Sequence, residues 1–190
     1  LISSLGRTGQ TVILFEQAMP TSLPEPWLRG PIPGVDPLLA PVLRSLEQAW
    51  EDLGKHTEGL TGEQIWSRPH DLAPLGFQLR HIAGSIDRLA TYLAGRQLDE
   101  RQMAALRAEM EPGASRDELQ VRIGEQITRT VLLVRTIKIS TLAEPRSVGR
   151  RQLPTSVIGL LVHIAEHTQR HVGQAIVAAK LARAVGATGV

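Results

Sequence analysis

Apolar positions recur at spacings of three and four in four separate stretches of the chain, the periodicity of a helix with one buried face. The first, about residues 37–56, carries Leu39, Val42, Leu43, Leu46, Trp50 and Leu53, with Asp36-Pro37 supplying a cap and a proline for the opening turn. The second, about 74–94, carries Leu75, Leu79, Ile82, Ile86, Leu89 and Leu93 and ends at Gly95. The third opens at the capping box Ser115-Arg116-Asp117-Glu118 and runs to about residue 139, with Leu119, Ile123, Ile127, Val131, Leu132 and Val134 inward. The fourth, about 156–184, repeats Val157, Ile158, Leu161, Ile164, Ala165, Val172, Ala175, Ile176 and Ala179. Four such stretches predict an all-α fold, an antiparallel four-helix bundle whose apolar stripes bury one another.

The segments between them are shorter or less regular. Residues 1–36 read as an irregular N-terminal extension: residues 11–15 suit a short strand or an apolar strap, and residues 20–37 hold six of the 12 prolines. Thr61-Gly62-Glu63-Gln64 has the form of a capping box for a helical turn carrying Ile65 and Trp66. Residues 98–111 predict a short, charged, mostly exposed helix ended by Pro112-Gly113, within a connection (95–114) long enough to cross between non-adjacent helices. Residues 140–154, with Arg146, Arg150 and Arg151, read as a basic connecting loop. The bundle domain therefore spans 37–186.

Composition narrows the function classes. A formal charge of +2 and six aromatic residues in 190 give no electrostatic or stacking case for nucleic acid. With no cysteine there are no disulfides, thiolate metal sites or cysteine nucleophiles, so any metal is held by nitrogen and oxygen. No apolar run approaches the roughly 18 residues of a membrane span, and residues 11–15 are too short for a signal-peptide core. The expectation is a cytoplasmic protein that engages neither membrane nor nucleic acid.

The chemistry concentrates in the fourth helix, where His163, His167 and His171 account for half of the six histidines. His167 and His171 stack one turn apart, with Cβ atoms about 5–6 Å from one another, and two such imidazoles can share an ion at about 2.0–2.1 Å. His163 cannot join His171 on that ion, because i and i+8 are about 12 Å apart along the axis at 1.5 Å per residue. Histidines at this spacing also occur on solvated helix faces, so the pair needs a third ligand from elsewhere. His56 suits a cation at a helix C-terminus, and His70 lies in a loop beside Pro69. His81, at the edge of the second helix's apolar stripe, offers the rigid placement a ligand needs. Ser85, Arg88 and Tyr92 follow it at helical spacing as candidate substrate-lining residues, Arg88 as a fork for a carboxylate or, equally, as half of a salt bridge, with Glu118 for instance. Gly173 suits close helix approach and Gln174 a structural hydrogen bond.

Two segments together, 163–174 around His167 and His171 and 76–88 around His81, resemble the DinB family of DinB/YfiT-like metalloenzymes. The resemblance covers about residues 38–184. It implies a four-helix bundle with one histidine on the second helix and a pair on the fourth, and so a site of His81, His167 and His171 for one divalent ion, zinc or nickel. It further implies a transferase acting with a low-molecular-weight thiol, or a related metal-dependent hydrolase, and a homodimer. Three neutral imidazoles leave coordination positions at which a thiol is deprotonated or a water acidified.

Two other readings compete. His163-Ile-Ala-Glu166-His167 fits the H-x-x-E-H pattern of inverted zinc peptidases, with Glu166 as base, but no Asp or Glu follows His167 to complete such a site. The second is a non-catalytic, stress-associated helical bundle that binds a metal or ligand without turning it over. A thiol-transfer assay with and without metal separates this reading from an enzyme.

Overall fold

The computed structural model describes residues 23–188, with side chains as far as residue 184. Four long helices, α1 (Ala40–Thr57), α3 (Leu75–Leu93), α5 (Arg116–Arg135) and α6 (Val157–Thr188), build the bundle, and two short ones, α2 (Gly62–Trp66) and α4 (Glu100–Arg107), ride on it. Helix α6 packs against both α1 and α3, and α5 closes the other side against the same two helices. The core between them holds Leu46 and Leu53 of α1, Leu79, Ile82 and Ile86 of α3, Leu119 and Ile123 of α5, and Leu161 and Ile164 of α6, all essentially inaccessible. Residues 11–15 lie outside the described residues.

Cross-links give the direction of each helix. Gln169 bonds Ser45 and Arg183 bonds His56 and Glu58, so α1 and α6 run in the same sense. Arg116 reaches Gly54 and Thr57, while Trp50 covers Gly124, so α5 opposes α1. Gln78 meets His171 and His81 meets His167, so α3 opposes α6. Two helices thus run each way, and α1 and α3, like α5 and α6, stand diagonally. The diagonal crossings are made by residues 58–74 and 136–156, whereas the connection 95–114, long enough for a crossing, joins the neighbours α3 and α5.

Local signals act as the chain predicts at most helix ends. Thr61 and Ser115 both form complete capping boxes, with Gln64 and Glu118 respectively. Gly95 (φ 75°) closes α3 with the paired bonds of a Schellman turn, Gly95 N to Tyr92 O and Arg96 N to Thr91 O. At α1 the Asp36 side chain accepts from Leu38 N and caps a preliminary turn, so the helix proper begins at Ala40. Arg29 in the proline-rich lead-in forks onto Glu47 and Glu51 of α1, fastening that segment to the bundle.

Three expectations are corrected. Trp50 is not core but 40% exposed, lying as a lid over Gly124, where a Cβ would stand 2.9 Å from its ring. Leu132 faces outward at 61% exposure, because the buried line of α5 passes through Thr130 and Val134 instead. Within residues 140–154 the chain forms a hairpin rather than a loop, β1 (Pro145–Val148) pairing antiparallel with β2 (Leu153–Ser156). Neither strand alternates apolar with polar residues, so the sequence shows no period-two pattern there. The hairpin is held by Arg146, whose Nε donates to Leu93 O at the end of α3.

Candidate metal centre

Helices α3 and α6 meet at the middle of the bundle, and their facing stripes bring His81, His167 and His171 together. One ligand-capable atom from each histidine lies within 4.8 Å of the others. His81 Nε2 and His167 Nε2 are 3.1 Å apart, close to the roughly 3.3 Å between two nitrogens bound tetrahedrally to one ion at about 2.0–2.1 Å. The rings crowd as well, with His81 4.2 Å from His171 and His167 4.6 Å from His171 between centroids.

The outward nitrogens of two of the three rings are already taken. His81 Nδ1 lies 2.7 Å from Glu109 Oε2, and His171 Nδ1 lies 2.9 Å from Gln78 Oε1. Because both oxygens accept, each Nδ1 carries a hydrogen, and His81 Nε2 is turned toward His167. His167 Nδ1 is buried with no partner. Three imidazoles therefore converge with a buried ring nitrogen unpaired, an arrangement that could hold a metal ion.

Electrostatics favours the same state. Burial, reinforced by the neighbouring His171, His81, His163 and Arg170, pushes the His167 pKa down to about 4. Burial and His81 also lower that of His171. Both rings are thus neutral at pH 7, the form that ligates metal. Burial opposes ionisation of Glu109, but the hydrogen bond with His81 and the charge of Arg88 outweigh it and hold this carboxyl below its usual range.

A profile of the DinB superfamily matches residues 45–175, a span that begins within α1 and includes all three histidines. The chain belongs to the DinB superfamily. A comparison with curated proteins finds no match. In this DinB protein the three-histidine cluster offers a nitrogen-only donor set that could bind a metal ion.

The remaining candidates occupy other places. His163 is half exposed and pairs with Glu166 at 2.6 Å, which also binds Arg170, so these three residues form a solvent-facing ladder along α6 while His167 turns inward to the cluster. His56, in the last turn of α1, and His70, in a turn with φ 53°, are outside the cluster. Ser85, Arg88 and Tyr92 are all buried: Ser85 Oγ donates to Ile82 O, Tyr92 joins the hydrophobic core, and Arg88 Nη1 binds Glu109 Oε1 at 2.7 Å. Arg88 is therefore half of a salt bridge, with Glu109 rather than Glu118. Gly173 is exposed and a Cβ there would meet nothing within 4 Å, so it serves no close helix approach.

Glu109 and Gln78 are the residues that sequence reasoning missed. Gln78 precedes His81 by three positions, on the same helical face, and could have been found from that spacing. Glu109 lies just past the end of α4 in a stretch whose charged composition reads as surface, yet it is 4% exposed.

Proposed function

We propose that this DinB protein is a metal-dependent enzyme that holds one divalent ion, zinc or nickel, on His81, His167 and His171 and uses it to activate a nucleophile. The observation that carries the reading is the convergence of three imidazoles, His81, His167 and His171, with no carboxylate among the converging groups. Such a set leaves the ion its full double charge, and when bound it would supply Lewis-acid activation of a thiol or a water. The chain's own residues supply placement: Glu109 and Gln78 fix the orientation of His81 and His171, and Phe77, stacked on His81 at 5.4 Å, restricts that ring's motion.

The reaction class proposed is transfer to a low-molecular-weight thiol, with a related hydrolase as the neighbouring possibility. The chain has no cysteine, so a thiol nucleophile must arrive as a small molecule. A homodimer is proposed alongside, from the family resemblance, and sedimentation at micromolar concentration giving a clean monomer rejects it. The test of activity incubates metal-loaded protein with several bacterial thiols and an electrophile and follows thiol consumption. Metal-dependent consumption supports transfer. Metal-dependent ester or amide cleavage without thiol supports hydrolysis, and neither activity in loaded protein leaves the non-catalytic binder.

A further inference from the structure

Gly84, Arg88 and Glu109 surround the side of His81 that faces away from the other two histidines. On α3, His81, Gly84 and Arg88 follow at spacings of three and four and so share one face. Glu109 comes in from beyond the end of α4 and places one carboxylate oxygen on His81 Nδ1 and the other on Arg88 Nη1, each at 2.7 Å. Its path crosses Gly84. A Cβ there would stand 2.7 Å from Arg88 Nη1 and 2.8 Å from Glu109 Oε1, so the bridge exists because this position has no side chain.

We propose that Gly84, Arg88 and Glu109 form a positioning unit that locks His81 in the tautomer with its hydrogen on Nδ1, presenting a bare Nε2 to the ion. The inference rests on the metal-site reading for its consequence, but the tautomer itself is a property of the metal-free protein. Glu109 is a positioning residue in this account, acting through His81. Carboxylates that receive the outer N–H of a ligand histidine typically contribute about 10–100-fold to metal affinity.

Arg88 makes the unit directional. A guanidinium only donates, so whatever replaces Glu109 must turn an acceptor toward Arg88. In Glu109→Gln the amide oxygen is claimed by Arg88, and the amide NH2 then faces His81 Nδ1. That nitrogen must accept, and the hydrogen moves to Nε2, where it blocks the ion. Removing the guanidinium in the Arg88→Met, Glu109→Gln double variant frees the amide to turn its oxygen back to His81. The double variant should therefore bind metal better than Glu109→Gln alone and return His81 to the Nδ1–H tautomer; relief of an unpaired buried guanidinium alone restores stability but not the tautomer.

The test has two readouts, each made on folded protein verified by circular dichroism. Histidine 15N resonances of metal-free protein report which ring nitrogen of His81 carries hydrogen, and chelator competition with zinc reports affinity. The expected results are an Nδ1–H tautomer in the wild type, an Nε2–H tautomer and a 10–100-fold weaker zinc affinity in Glu109→Gln, and recovery of part of that loss in the double variant. Gly84→Ala, which leaves every charge in place, should lower affinity in the same direction by displacing the bridge. An unchanged His81 tautomer in Glu109→Gln, or a double variant no better than the single, overturns the proposal. Wild-type protein that takes up no zinc yet switches tautomer in Glu109→Gln overturns the metal-site reading and leaves the positioning unit standing.

Discussion

His81 and His167 are 86 positions apart in the chain, and their Nε2 atoms meet 3.1 Å apart across the contact of α3 with α6. The antiparallel packing of those two helices accounts for it. Gln78 opposite His171 and His81 opposite His167 set a register in which one α3 histidine faces both members of the α6 pair. A slip of one helical turn, about 5.4 Å, would remove His81 from that set.

Substitutions within α6 should therefore separate by face. His167→Ala is expected to lose most bound metal, because it removes a member of the cluster, whereas His163→Ala removes only an exposed pairing with Glu166 and should retain it. Metal analysis of the two variants after identical loading checks this, and equal losses would contradict the assignment.

The pH dependence of metal-free protein follows from the depressed histidines. His167 titrates near 4 when folded against an ordinary 6.5, so between those values the unfolded chain binds the extra proton. Its contribution to stability is then complete above about pH 6.5 and declines as the pH falls toward 4, and His171 acts in the same direction. Urea midpoints measured across this range should fall with pH in the wild type and fall less in His167→Leu; parallel profiles would refute the burial argument.

Two glycines should respond oppositely to alanine. At Gly76 a Cβ would stand 2.7 Å from the ring of Trp66, which is held by Ala114 O at 2.8 Å and by Arg80 stacked on its face. Gly76→Ala should cost about 1–3 kcal/mol, the range for overpacking. Gly173 has open space, so Gly173→Ala should stabilise α6 by about 0.5–1 kcal/mol through helix propensity. Denaturant unfolding of both variants measures the contrast.

The parts of this molecule that were legible in the sequence are those encoded by local spacing. His167 and His171 are one turn apart on a strongly periodic helix, and the capping boxes at Thr61 and Ser115 are local four-residue patterns, so each could be read without knowing the fold. Glu109 could not, because its burial depends on α3 having no side chain at Gly84 and a cation waiting at Arg88. Arg88 by its spacing suits either a grip on a substrate or a salt bridge, and the deciding partner lies 21 residues downstream in a segment of solvated composition. The hairpin is hidden for a different reason: Pro145–Val148 and Leu153–Ser156 do not alternate apolar with polar, and its anchor at Leu93 O is a backbone atom with no signature in the sequence.

The central claim is that His81, His167 and His171 form one metal site, and elemental analysis of protein purified without a histidine tag tests it most directly. The expected result is one divalent ion per chain, retained through desalting and restored by zinc or nickel after chelation. Wild-type protein that remains folded, carries no metal and cannot be loaded with either ion would contradict it.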